Sequence, residues 1–460
     1  MTLSADIIAR LGVLHDLPEG VRVAAARHFT DAVGVGLGAA GCEAGSHWRN
    51  YAAGRVESGP ASVFGTDRGM SAATAALING GLIHSLEYDD THTGSIVHGS
   101  AVLAAAALAA GEAAGASGAD IMRAYTLWYE VFIRMGLAAA GGFQNRGYQL
   151  TSVGGALCAA GIAANLKKLD DTQTQAAIGI ALSQASGVFE FLTNGSTVKS
   201  MHPGWAAHAG LIAADLAEAG MTGPLTAIEG KFGLFRLFAG DDAAPERFAQ
   251  SLQDLGTVWH LEQAAYKFHP CCHYLHPFIE AARLLQDEGV TVDTIEWIEN
   301  GVPQGAAGII CEPWEDKQKA SGHLARWSLP VTVAMQFVDG KVDLGSFEMP
   351  LSEGVADLAQ KSTWRPLEGS AFPKRFDALL RVGVKNGRVL EKHIDDVFGN
   401  GSRPPSEEDL AAKFTGNVTR VGSSTAAAAL RDALMGLWTA NDLSSVSAAL
   451  RELPNSMEQN

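Results

Sequence analysis

Small apolar side chains run in long stretches through the first 265 residues, broken by single polar positions instead of alternating with them. Residues 71–85, 101–114, 118–140, 152–166, 172–185 and 203–219 are rich in Ala, Leu and Ile, with Gly inside several of them. Stretches this long exceed the usual strand and predict helices. Gly inside a helix costs up to about 1 kcal/mol against Ala, so close helix–helix packing is expected to offset it. After Leu275 the pattern changes. Residues 292–298 and 331–337 alternate in part, and residues 379–394 read as a hairpin with Asn386-Gly387 at its turn, where both residues tolerate positive φ. Residues 276–286 keep helical spacing, so this region is α+β. A Gly/Pro-rich stretch at 398–405 closes it, and Ser406 with Asp409 has the capping-box spacing that restarts a helix near Glu407. The expected architecture is mainly α, with an all-helical domain from residues 1–268 and 406–460 and a smaller α+β domain from 269–405.

Charge narrows the functional classes. Thirty-four Lys and Arg against 50 Asp and Glu leave a net charge of −16, which argues against nucleic acid or an anionic membrane surface as the main partner. A small anionic substrate stays open, because a few cations can focus a local positive field. Hydrophobic content of 47% with 18% charged residues is a packed globular composition, not a disordered one. The N-terminus shows no basic stretch leading into a long apolar one, and the most apolar run, residues 101–110, is about half a membrane span. Five cysteines without a CxxC pair read as reduced thiols of a cytoplasmic protein. No phosphate-binding loop or dinucleotide fingerprint appears.

Three polar clusters stand out from the apolar background. The first is His84-Ser-Leu-Glu87-Tyr-Asp89-Asp90-Thr91-His92, followed by His98, at the end of an expected helix. Carboxylates beside imidazoles shift each other's pKa, so the cluster reads as an acid/base pocket; solvated acids at a helix end are the plain alternative. No tight spacing such as HExxH supports a metal. The second is Lys199-Ser-Met-His202-Pro203-Gly204-Trp205-Ala-Ala-His208. Pro203 fits a first helical turn, which places Lys199 and His202 just before free backbone N–H groups that attract a carboxylate. The third is Lys267-Phe-His269-Pro270-Cys271-Cys272-His273-Tyr274-Leu-His276. Adjacent cysteines rarely share one ion, so this stretch reads as the lining of an inter-domain cleft and not as a zinc site.

In this order, the clusters resemble the MmgE/PrpD family, which includes 2-methylcitrate dehydratase, cis-aconitate decarboxylase and iminodisuccinate epimerase. The carriers are Glu87-Tyr-Asp-Asp-Thr91-His92, Val97-His98, Lys199-Ser-Met-His202-Pro-Gly-Trp, Pro270-Cys-Cys-His-Tyr-Leu-His276 and Trp327-Ser-Leu-Pro330, over about residues 7–414. The resemblance implies a large all-α domain made from both chain ends, a smaller α+β lid domain, a homodimer, and no metal or organic cofactor. Carried over by position, the family's acidic residue falls on Glu87, its threonine on Thr91, its histidine on His98, its lysine on Lys199 and its lid-side histidine on His276. Two positions depart from the pattern. Tyr148-Gln149-Leu150 stands where the family often has Phe-His-Pro, and Val331 where decarboxylase-like members carry Tyr.

The expected catalytic residues are Lys199, His98, Tyr148, Asp90 and His276, with Glu87, Thr91, His92, Gln149, His202 and His273 contacting substrate. Cations and oriented N–H groups would stabilise an enolate-like dianion while a base takes the proton next to a carboxylate. The expected activity is a cofactor-independent lyase of the 2-methylcitrate dehydratase type on a small di- or tricarboxylate. The alternatives are an epimerase using Tyr148 and Lys199 as paired bases, a cis-aconitate decarboxylase-like lyase, and a non-catalytic carboxylate-binding homologue.

Overall fold

The structure, a computed structural model, describes residues 1–193 and 195–459. Helix covers 60% of the chain and strand 8%, so the protein is mainly α. The chain separates into two compact units. One comprises Met1–Ser85, Asp89–Ala264 and the chain from Ser406 onward; the other comprises Ala265–Pro405 together with the three residues Leu86–Tyr88. That short strip lies in sequence inside the helical unit and was not expected to leave it.

In the helical unit, α1 (Glu19–Ala40), α2 (Ala72–His84), α3 (Gly99–Ala114), α4 (Gly118–Ala139), α5 (Leu150–Leu166) and α6 (Met201–Glu218) form the core. Helix α3 is buried all round from Gly99 to Gly111, which its Ala-rich sequence permits because no face needs water. Backbones touch where α2 and α6 cross. A Cβ on Gly204 would lie 2.2 Å from the Leu77 carbonyl oxygen and 2.8 Å from the Gly81 nitrogen, so only Gly fits. The C-terminal return begins with α7 (Glu407–Val418), whose Ser406–Asp409 capping box is formed. Lys413 of α7 pairs with Asp31 of α1 at 2.8 Å with both side chains buried, which ties the chain's end to its beginning.

The α+β unit is built on a mixed sheet of β1 (Ile295–Val302), β2 (Ser362–Pro366), β3 (Ala378–Val384) and β4 (Val389–Ile394), in the order β2-β1-β3-β4. Strand β1 runs parallel to β2 and antiparallel to β3, and β3 pairs β4 antiparallel. The β3–β4 turn differs from the expected two-residue form. Only Gly387 takes positive φ (80°), and Val384 N–H reaches the Arg388 carbonyl at 3.0 Å, which closes a three-residue loop. The segment 331–337, expected as a strand, is helix. It lies within α8 (Leu329–Asp339), whose N-cap Ser328 accepts from Val331 N–H at 3.2 Å and whose first turn holds Pro330. Among the described residues, no helix is long and apolar enough to cross a membrane.

Candidate active site

Helix α2 ends at His84, and the chain then turns through Asp89–His98 into α3. The turn is pinned by its own backbone. His92 N–H meets the Val97 carbonyl at 2.9 Å, Val97 N–H returns to His92 at 3.3 Å, and Ile96 takes φ 56°. Two adjacent carboxylates point into different networks. Asp89 Oδ2 lies 2.9 Å from His84 Nδ1 and 3.2 Å from His98 Nδ1. The Thr91 hydroxyl hydrogen-bonds the same His98 nitrogen at 3.1 Å, and the His84 and His98 rings meet edge-on at 4.8 Å. His98 caps α3, and its backbone N–H donates to Thr151 Oγ1 at 3.1 Å. Asp89 is fully buried while the His98 side chain keeps 13% of its surface, so the ring is gripped at Nδ1 by a buried carboxylate and stays partly exposed.

Asp90 serves the scaffold. It accepts from Ser100 N–H at 3.2 Å, from the Ser100 hydroxyl at 2.5 Å and from the Tyr129 hydroxyl at 3.0 Å, with His28 Nδ1 3.1 Å away. Both oxygens are thus committed to α3, α4 and α1 at 1% exposure. His92 is likewise turned inward, its Nδ1 accepting Ser95 N–H at 3.2 Å. Burial, and then His260, hold this imidazole down at about 4, so it is neutral.

The second side of the site comes from α5 and α6. Gln149 is the N-cap of α5, and its Oε1 accepts a hydrogen bond from His202 Nδ1. The amide oxygen can only accept, so His202 carries its proton on Nδ1 and a bare lone pair on Nε2. Burial, then the neighbouring His84 and the Lys199 ammonium, hold His202 down at about 4. His202 lies inside the first turn of α6, not before it, because a tight turn over Thr197–Ser200 runs straight into the helix and carries Lys199. Trp48 Nε1 and His47 Nε2 each reach Ser200 Oγ at 3.3 Å and fix that turn. Tyr148 is half-buried, its ring edge-on to Phe238 at 5.0 Å, and its backbone bridges Val188. The helical unit thus gathers His84, Asp89, Thr91, His98, Gln149, Lys199 and His202, with Thr151 and His84 linking the two sides.

His84, Asp89 and His98 each offer one donor atom, all within 4.8 Å of one another, a set that could hold a borderline cation. The two imidazole Nδ1 atoms also share the Asp89 Oδ2 oxygen directly at hydrogen-bond range.

The third cluster belongs to the α+β unit. Arg326 binds the carbonyls of Leu86 and Pro270, and the Tyr88 hydroxyl reaches the Phe268 carbonyl at 3.4 Å, so the Leu86–Tyr88 strip is held against this segment. Glu87 sits in that strip, buried, with φ 54°. Lys267 is only 1% exposed, and its charge acts on His276 and Cys271. His273 packs its ring on His276 (5.0 Å) and Phe376 (5.2 Å). Burial pushes the Cys271 thiol well up, with Cys272 adding to it, which keeps it protonated.

The N-terminal domain of the MmgE/PrpD family matches residues 5–246, and its C-terminal domain matches residues 269–436. The chain belongs to the MmgE/PrpD family. Its relatives include the cis-aconitate decarboxylase-like protein oryM of Aspergillus oryzae, 27% identical over 95% of this chain and 94% of that protein. The cis-aconitate decarboxylase of Mus musculus is 27% identical over 91% of this chain and 86% of its own, and that of Aspergillus terreus is 25% identical over 84% and 82%.

Within this MmgE/PrpD chain, the expected site residues divide between the units. Thr91, His98, Gln149, Lys199 and His202 come together in the helical unit, where Asp90 and His92 brace the turn. Glu87, His273 and His276 lie in the other unit. Two residues escaped the sequence reading. Asp89 was passed over for its neighbour Asp90, and nothing but side-chain direction separates them. Lys267 opened the third cluster without being assigned a role, and its near-complete burial is the feature that marks it. At Val331 the side chain is buried and apolar in α8.

Proposed function

We propose that this protein is a lyase acting on a small tricarboxylate by proton transfer, a dehydratase of the 2-methylcitrate type that uses neither metal nor organic cofactor. The observation that carries the reading is His98, held at Nδ1 by Asp89 and Thr91 while its side chain stays partly exposed. Dehydration needs a base for the proton next to the carboxylate and an acid for the departing hydroxyl. His202, neutral and bare at Nε2, supplies the base, and His98 moves a proton at Nε2 to the hydroxyl, which leaves as water. The Lys199 ammonium binds the carboxylate on which enolate charge builds, with the first turn of α6 beside it. Gln149 fixes the His202 ring and does not exchange protons itself.

Decarboxylation is the second reading, favoured by the relatives, which are cis-aconitate decarboxylases and thus lyases on a tricarboxylate. Val331 weighs against it, since it stands where decarboxylase-like members carry a phenol, and Gln149 stands where the family often has an imidazole. Proton NMR of purified protein with 2-methylcitrate and with cis-aconitate separates the two. Loss of water from 2-methylcitrate supports the dehydratase; release of carbon dioxide from cis-aconitate, with 2-methylcitrate untouched, establishes the decarboxylase instead.

A further inference from the structure

The start of α5 touches both of the residues whose imidazoles the proposed reaction uses. Thr151 Oγ1 accepts the backbone N–H of His98 at 3.1 Å. Gln149 Oε1 accepts from His202 Nδ1, and the Ser152 hydroxyl donates to the His202 carbonyl at 3.1 Å. Successive residues of an α-helix point about 100° apart, so neighbours in sequence can serve different flanking helices. Thr151 meets the start of α3 while Gln149 and Ser152 meet the first turn of α6, and α5 packs on both helices.

Backbone geometry explains why these contacts matter. His98 stands just ahead of α3, where its N–H has no carbonyl of that helix to bond. The fully buried Thr151 hydroxyl is the partner it finds. That bond helps to hold His98 at φ −94° and ψ 75°, and the direction in which its side chain leaves the backbone follows. On the other side, residues 187–189 close on the turn. Gln149 N–H meets the Gly187 carbonyl at 3.0 Å, and Phe189 N–H meets the Gly147 carbonyl at 2.8 Å. Gly187 takes φ 117°, and a Cβ there would fall 2.5 Å from Ser152 Cβ. Ser152 therefore has little room to shift.

We infer that Thr151 and Ser152 are positioning residues that set the separation of the His98 and His202 rings, a role that rests on reading those imidazoles as acid and base. Neither hydroxyl moves a proton of the reaction. Misplacing either ring slows proton transfer yet leaves the Lys199 ammonium to bind carboxylate, so kcat falls while KM holds.

The test is steady-state turnover by the full chain of 2-methylcitrate, or of cis-aconitate if that is the acid consumed. Thr151→Val keeps the shape and removes the oxygen, and should lower kcat about thirtyfold with KM within about twofold. Thr151→Ser returns the oxygen and should restore kcat to within about threefold of wild type. Should Thr151→Val fail to fold, Thr151→Ala makes the same comparison with a better helix former. In protein carrying nitrogen-15-labelled histidine, the His98 amide signal is identified by its loss in His98→Ala. It must move in Thr151→Val and return in Thr151→Ser. Wild-type turnover by Thr151→Val while His98→Ala stays slow overturns the positioning role and leaves the acid/base reading standing. Thr151→Ser as slow as Thr151→Val, a loss expressed in KM alone, or an unmoved His98 amide overturns it too. Full activity in His98→Ala removes the acid/base reading itself, and the positioning role with it.

Discussion

His84 with residues 89–98 of the helical unit, and residues 267–276 of the α+β unit, look alike on paper: both pack several histidines into a short stretch near a helix end. The structure treats them differently. In the first, imidazoles meet side chains, His84 and His98 sharing Asp89 and His92 bonding Ser95. In the second, His269 and His276 bond to backbone carbonyls and meet edge-on. A carboxylate supports an imidazole that gains and loses a proton, whereas burial against carbonyls and apolar walls locks one tautomer in the neutral form. Burial indeed pulls both His269 and His276 below the usual imidazole range. Histidine density alone therefore does not locate acid/base chemistry; the partner of each ring does.

That contrast breaks most easily at His98. His98→Ala should lower kcat about a thousandfold, and Asp89→Asn about a hundredfold, because the amide keeps the shape but not the charge behind the ring. His269→Asn in the other segment should stay within about threefold, since its ring moves no proton. Steady-state kinetics on the substrate that NMR identifies reads all three. Equal losses from His98→Ala and His269→Asn would end the distinction.

The scaffold offers the next largest effect. Gly204→Val should cost about 3 kcal/mol in denaturant unfolding, because the added carbons meet the backbone of α2, which cannot rotate away. An unchanged midpoint would mean that α2 and α6 separate freely. Acid then probes the neutral histidines. His92 and His202 are held at about 4, while an unfolded imidazole protonates near 6.5. Between those values the unfolded chain binds more protons, so stability falls as pH drops from 6.5 towards 4. Glu130 opposes this: burial lifts it to about 7 against an ordinary 4.5, so its contribution is lost as pH rises through 7. Two imidazoles outweigh one carboxyl. Tm should be a few degrees lower at pH 5 than at pH 7, and Glu130→Gln should steepen the dependence. A flat Tm across that range would contradict the assignment of neutral histidines.

Much of this was legible in the sequence, for reasons that name its limits. The helices of the first unit follow from Ala-rich runs too long for strands, and the restart at Glu407 from a capping box that needs only local residues. The segment 331–337 misled because a short apolar run has no period of its own; Ser328 and Pro330 just ahead of it held the helix signal. The Leu86–Tyr88 strip could not be read, since its anchors, Arg326 and the Phe268 carbonyl, come from roughly 180 to 240 positions further along the chain. Asp89 and Asp90 share one chemistry and neighbouring positions. Which one backs His98 depends on where a turn of backbone aims each side chain, and periodicity does not encode that.

The smallest expected effect concerns Tyr148, which the sequence marked as a catalytic acid or base. An ordinary phenol titrates near 10, so catalysis at neutral pH would require a partner that stabilises phenolate. The structure supplies packing instead. The ring lies edge-on to Phe238, the backbone bridges Val188, and the hydroxyl takes no hydrogen bond among the described residues. Tyr148→Phe keeps the ring and its contact with Phe238 and removes only the oxygen. Activity should therefore stay within about threefold of wild type, and Tm should hold, whereas general acid/base duty would cost a hundredfold or more. A large fall in kcat with KM unchanged would restore Tyr148 to the chemistry. It would also favour an epimerase, in which Tyr148 and Lys199 exchange a proton on opposite faces of one carbon. Deuterium entering an otherwise unchanged substrate in D2O would then decide between the two.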